Sequence, residues 1–147
     1  MENIEKLCQS YHLGKLKGEP EMITGGLMHR MYHVSTDQGE YAVKLLNPDI
    51  MKRPEALQNM INSETVSNAL KDVVPLVAAK CFDGKCIIEL DGSFYVIFDW
   101  IEGKSNFVPD ILEHHCAQVG RVLGKIHTAN IKVDSIEKNH GIRGEYD

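Results

Sequence analysis

Apolar residues near the start of the chain fall at Ile4, Leu7, Cys8 and Tyr11, the spacing of a helix with one buried face, and Gly14 follows as its stop. The period then changes. Residues 16–24, interrupted by Lys17-Gly18-Glu19-Pro20, and residues 30–36 and 40–46 read as strands, the last two joined by a turn at Asp37-Gln38-Gly39. Residues 54–70 return to helical spacing, with Pro54 at an allowed first-turn position and Leu57, Met60, Ile61, Val66 and Leu70 as an imperfect apolar stripe. Three further strand runs, 76–82, 85–90 and 93–98, are joined by Asp83-Gly84 and Asp91-Gly92. Asp-Gly between such runs is a strong hairpin signal, so the three are expected to form an antiparallel meander. Residues 108–130 carry Ile111, Leu112, Cys116, Val119, Val122, Leu123 and Ile126 in a long helical pattern, and residues 131–147 are polar without a period. The order predicts an α+β fold: a helix, five or six antiparallel strands with a helix inserted after the third, a connector, and a helix that begins a further unit.

One position breaks the pattern. In the run Glu40-Tyr-Ala-Val-Lys-Leu-Leu46, Tyr41, Val43 and Leu45 face one way, while Lys44 shares the other face with Ala42 and Leu46. A desolvated ammonium without a partner costs several kcal/mol, so Lys44 must snorkel, pair with a carboxylate, or hold an anion.

The bulk properties narrow the choices. A chain of 147 residues, 43% apolar and 25% charged, suits one soluble globular domain able to bury its own core. A net charge of −5 with no basic patch beyond Met51-Lys52-Arg53 excludes nucleic acid as a main partner and leaves a single phosphate-bearing ligand open. The N-terminus lacks an apolar core, and no stretch reaches the length of a bilayer span, so a cytoplasmic protein without a membrane partner is expected. In that compartment Cys8, Cys81, Cys86 and Cys116, which form no CxxC pair, are expected to be buried reduced thiols. The adjacent His114 and His115 point about 100° apart on a helix and make a poor chelating pair, so no metal site is expected.

The glycine-bearing turn at Gly25-Gly26, the Ala42-Val-Lys44 strand, a helix with a glutamate, Asp-Gly hairpins, an apolar strand ending Phe98-Asp-Trp-Ile-Glu-Gly103, and a helix ending Leu123-Gly-Lys-Ile-His127 follow one another in order. In this order the chain resembles the N-terminal lobe of the aminoglycoside phosphotransferase and choline kinase-like family, relatives of the protein kinases, over about residues 4–130. The resemblance implies a nucleotide-binding lobe over residues 1–98, a hinge over 99–106, and the start of an incomplete second lobe over 107–147. It also implies roles. Lys44 would grip the phosphates of ATP or GTP and be oriented by a helix glutamate, for which Glu64 is favoured over Glu55, since a carboxylate in the first helical turn already serves the helix dipole. Ala42 would roof the adenine and Phe98 back the pocket. Asp99 (C=O) and Ile101 (N–H) would bind the base edge, and Gly25 and Gly26 would let backbone N–H groups approach phosphate. His29 stands where the family more often has a small polar residue such as Asn, and His127 matches a structural, packed helix-end position.

The run expected to hold the proton-accepting Asp and the Mg²⁺ ligands, HxDxxxxN in this family, does not occur: no histidine of the chain is followed two residues later by Asp. No catalytic residue and no metal ligand is therefore assigned. The resemblance implies the ATP-binding part of a kinase that, with Mg²⁺, phosphorylates a hydroxyl of an aminoglycoside, choline, homoserine or similar acceptor, the fragment alone being inactive. The alternative is a non-catalytic nucleotide-binding or dimerising module, with a homodimer formed through the face a second lobe would cover. An unrelated α+β domain is a third reading.

Overall fold

A computed structural model describes residues 2–23, 28–103 and 107–133. Gly25 and Gly26 lie outside the described residues, as does the polar tail beyond residue 133.

Helix α1 (Glu2–Ser10) buries Ile4, Leu7 and Cys8, as its spacing requires. It ends before Gly14. His12 takes the left-handed conformation (φ 54°), and the Leu13 N–H reaches back to the Cys8 carbonyl (2.9 Å). This is the six-to-one bond of a Schellman cap, sealed by burial of Leu13. Gly14 (φ 101°) then turns the chain so tightly that a β-carbon there would collide with Asp37 and Gln38.

Five strands follow: β1 (Glu21–Ile23), β2 (Arg30–Ser35), β3 (Glu40–Leu45), β4 (Ile88–Leu90) and β5 (Ser93–Asp99). They form one antiparallel sheet in the order β1-β2-β3-β5-β4. Its register pairs Met31 and Val96 with Lys44, and His33 and Phe98 with Ala42. Two cores result, one on each side. Val34, Tyr41, Val43, Tyr95 and Ile97 pack on α1, while Leu46, Val96 and Phe98 gather Ala42, Met51 and Met60 beneath the helices that follow β3.

Those helices are α2 (Pro48–Met51), whose Asn47 side chain caps the Asp49 N–H (2.9 Å), and α3 (Ala56–Leu70). The sequence reading merged the region into one helix from Pro54; instead Pro54 lies in the turn between two helices, and Glu55 is an exposed cap residue. The expected three-run meander is a two-strand hairpin. Residues 76–82 run beside β5 with a single ladder-like bond, Lys80 N–H to the Ile97 carbonyl (2.7 Å), before a tight loop pairs Phe82 with Lys85. Of residues 16–24, Glu21–Ile23 forms a strand and Leu16 an isolated bridge to Thr36; Thr24 is not described.

The cysteines depart furthest from expectation. Cys81 and Cys86 form a disulfide across the Asp83-Gly84 turn and Cys116 is exposed, so Cys8 alone is a buried thiol. The two cysteines flank a turn, where strand neighbours commonly sit, and it brings their α-carbons to 4.1 Å, close enough for the bond that the expectation of reduced thiols set aside. Helix α4 (Glu113–Thr128) starts after Ile111 and Leu112 and has no buried residue; His127, expected to be packed, is exposed. No helix among the described residues is long and apolar enough to cross a membrane.

Candidate functional site

Lys44 projects from β3 onto the side covered by α3. Its ammonium lies 5.3 Å from the centre of the Phe98 ring, a diagonal neighbour on β5. Ala42, half-buried, lies beside Phe98 in register. From above, α3 brings Glu64, whose residue surface is 7% exposed. Burial pushes the Glu64 carboxyl up from its ordinary value, while the Lys44 charge and the Ala79 backbone pull it back. Lys44 also acts on His29, whose pKa is lowered first by burial and then by that ammonium. Lys44, Glu64, Ala42, Phe98 and His29 thus occupy one region.

The pairing of Lys44 with Glu64 is indirect. Among the described residues the ion pairs are Lys6–Asp91, His33–Glu40, Lys52–Asp49 and Lys80–Asp99, and Lys44 belongs to none of them. A carboxylate close enough to be felt but not in contact leaves the ammonium's hydrogen-bonding capacity available to an incoming anion. Glu55, the competing candidate, is exposed at the helix cap.

At the end of β5 the backbone sorts its polar groups by parity. The Ile97 carbonyl is taken by Lys80 on the side away from β3, while the Trp100 N–H turns toward β3 and donates to the Glu40 carbonyl (3.0 Å). Along a strand successive residues present their groups to opposite sides, so Asp99, the last residue of β5, faces away from β3 as Ile97 does. Asp99 additionally pairs its carboxylate with Lys80 (2.8 Å). Ile101 is 60% exposed rather than part of the core.

Trp100 steadies this connector. Its indole stacks on His33 (centroids 4.0 Å apart) and donates to Glu102 (2.9 Å). His33 in turn meets Glu40 (2.8 Å), whose carboxyl is held below its ordinary value first by a hydrogen bond from the Ser35 hydroxyl.

Sequence reasoning missed Asn68. Its amide donates to the Glu64 carbonyl (3.1 Å), the Ala79 carbonyl (3.2 Å) and the Cys86 sulfur (3.7 Å), tying α3 to the segment beneath it. The four-residue spacing from Glu64 was a readable signal for the first contact; the other two exist only in the fold. A cavity of about 620 Å³ lies elsewhere, on the flank of α3, lined by Leu57, Ile61, Thr65, Phe82, Cys86 and Phe94. No group of three or more His, Cys, Asp or Glu side chains able to hold a metal stands together among the described residues.

Comparison with known proteins bears on this arrangement. The model of the phosphotransferase enzyme family matches residues 21–144. Homoserine kinase of Polaromonas naphthalenivorans is 29% identical over 116 residues, covering 78% of this chain and 34% of its own length. That of Methylobacillus flagellatus is 26% identical over 129 residues, covering 87% and 38%. The chain therefore spans little more than a third of these relatives. Among solved structures, spectinomycin phosphotransferase in complex with ADP and spectinomycin superposes with a TM-score of 0.67 at 16% identity, over 89% of this chain and 38% of that one. The Mycobacterium tuberculosis PknI kinase domain gives 0.52 at 18%, over 76% and 48%. These likenesses show a kinase-like fold. A family match across most of the chain, on a sheet and helix arranged as in kinase-like proteins, establishes that this chain belongs to the phosphotransferase enzyme family.

Proposed function

We propose that this chain is the nucleotide-binding part of an ATP-dependent small-molecule kinase, its residues 1–98 forming the lobe, 99–106 the hinge and 107–147 the beginning of a second lobe. The observation that carries the reading is Lys44, an ammonium on the inner face of β3 with Phe98 and Glu64 around it and no direct ion pair among the described residues. Such a group is a ready partner for phosphate oxygens, and charge-assisted bonds of this kind are the strong ones.

In this reading Lys44 grips the nucleotide phosphates and Glu64 biases its orientation through charge rather than contact. Asp99 and Ile101 offer a carbonyl and an N–H to the base edge, between Ala42 and Phe98. The ring of Phe98 excludes water on one side, which strengthens the Lys44–phosphate attraction. The described residues provide no ligand cluster for Mg²⁺, and no step is assigned to it; in kinases generally the metal neutralises phosphate charge. The acceptor is a small hydroxyl-bearing molecule. An amino-acid alcohol of the homoserine type is favoured by the names of the sequence relatives, ahead of an aminoglycoside.

Calorimetric titration with ATP and Mg²⁺, with GTP in parallel, tests the reading on wild type and Lys44→Ala. Saturable binding that weakens at least about tenfold in a variant of unchanged circular dichroism is expected, since bonds to a charged group are each worth roughly 1.5–3 kcal/mol. Equal affinity in the two proteins, or no saturable binding by folded wild type, would remove Lys44 from the nucleotide.

A further inference from the structure

Glu64 is held from behind. The Asn68 amide, one turn along α3, bonds the Glu64 carbonyl, the Ala79 carbonyl and the Cys86 sulfur together, and the Ala79 backbone acts on the Glu64 carboxyl. Two N–H groups serve three acceptors, so each acceptor's position constrains the others. The Cys86 position depends in turn on the disulfide to Cys81, which closes the loop Phe82-Asp83-Gly84-Lys85. Cys86 also lines the cavity beside α3, so the loop on that side has open space to relax into. Cys81 is exposed and half of the bond is therefore reachable from solvent.

We propose that Asn68 and the Cys81–Cys86 disulfide form a redox-gated brace that positions Glu64 relative to Lys44. The inference rests on the nucleotide-binding reading for its functional consequence, and on the contacts alone for its structural one. Asn68 is a positioning residue: it touches no ligand and acts through Glu64. The reductant is a dithiol. One of its thiolates attacks the Cys81 sulfur, the S–S bond breaks, and its electron pair leaves on the Cys86 sulfur, which takes up a proton. The second thiol of the reductant then displaces Cys81, which leaves as a thiol, and the dithiol ends as its own cyclic disulfide. Two electrons pass from the dithiol to the protein, and the Asp83-Gly84 turn loses its covalent clamp. Cys86 is then free to swing into the cavity, Asn68 loses one of its three acceptors, and Glu64 loosens with the helix that carries it.

The test compares the chain oxidised with oxidised glutathione and the chain reduced with dithiothreitol by two readouts, amide hydrogen exchange and ATP·Mg²⁺ titration. Reduction is expected to speed exchange in residues 64–70 and 79–88 relative to α1, and to weaken ATP about fivefold, the loss expected when one hydrogen bond no longer aligns a charged group. The Cys81→Ser/Cys86→Ser variant should behave as the reduced chain and ignore dithiothreitol. Asn68→Ala should bind ATP weakly in both redox states. Were the disulfide merely structural, its reduction would lower the melting temperature and leave the ATP affinity of the folded chain unchanged, and that result would overturn the proposal. Four free thiols after oxidation, equal exchange of α3 in both states, or a redox response that persists in the double serine variant would overturn it as well. Should the oxidised chain bind no ATP, the kinase reading fails, and the exchange of α3 still decides whether the brace exists.

Discussion

On one side of β3, Tyr41, Val43 and Leu45 meet α1 in a core whose central members, Leu7, Val34, Val43 and Ile97, are wholly buried. On the other side, Ala42, Lys44 and Leu46 meet α3 across a layer that includes a buried carboxylate, an ammonium and an amide. The first side is dry. Its one titratable thiol, Cys8, is pushed up to about 11 by burial and then by Glu5, and so stays neutral at physiological pH. The second carries charge in partial burial, an arrangement that costs stability and is tolerated where a ligand or partner compensates. One strand thus separates an apolar face that holds the fold from a face that carries charge, and substitutions on the two faces should differ in kind.

The largest expected effect lies on the dry face. Leu7→Ala removes a fully buried side chain and should destabilise the chain by about 3 kcal/mol in urea unfolding, because transfer and cavity terms add. ATP affinity of the folded protein should not change; a parallel loss of affinity would show that the two faces are not separable.

A smaller effect of opposite sign is expected on the polar face. The fold holds the Glu64 proton more tightly than the unfolded chain does, so the contribution of this group is fully present below its ordinary value of 4.5 and is lost as pH rises through its raised one. Glu64→Gln should therefore raise the melting temperature by a few degrees at pH 7, with the gain vanishing near pH 4, while nucleotide binding weakens. A variant less stable than wild type at pH 7 would mean that the Glu64 charge is compensated by its surroundings in the free protein. The smallest effect belongs to the surface. Asp91→Asn breaks the exposed Lys6–Asp91 pair between α1 and the β4–β5 turn, keeps a side chain that tolerates the turn's positive φ, and should change stability by less than about 0.5 kcal/mol. A loss well beyond that would make the attachment of α1 depend on charge as well as on its apolar stripe.

Local features were legible wherever a few consecutive residues suffice. Both Asp-Gly turns carry positive φ at each central residue, Asp83 (48°) with Gly84 (75°) and Asp91 (49°) with Gly92 (73°), as such dipeptides favour. The faces of β3 follow from alternation alone. Residues 76–82 misled because an apolar run between turn signals looks the same whether it joins a ladder or, as here, lies along a sheet edge with one bond before entering a disulfide-closed loop. In α4 the apolar stripe was readable, but burial was not: a stripe reports what a helix offers, and among the described residues nothing covers Val119 or Leu123.

From the sequence by itself came the order of elements, the α+β class, and the anomaly of Lys44, because backbone preference and side-chain alternation act between near neighbours. Only the tertiary structure decided that Glu64 lies near Lys44 without direct contact, that Asn68 joins Ala79 and Cys86, and that the Trp100 N–H turns toward β3 while the Ile97 carbonyl turns away from it. Each of these depends on how a helix or a distant segment settles over the sheet. That settling is governed by the packing of many weak contacts between parts of the chain far apart in sequence, which no local pattern records.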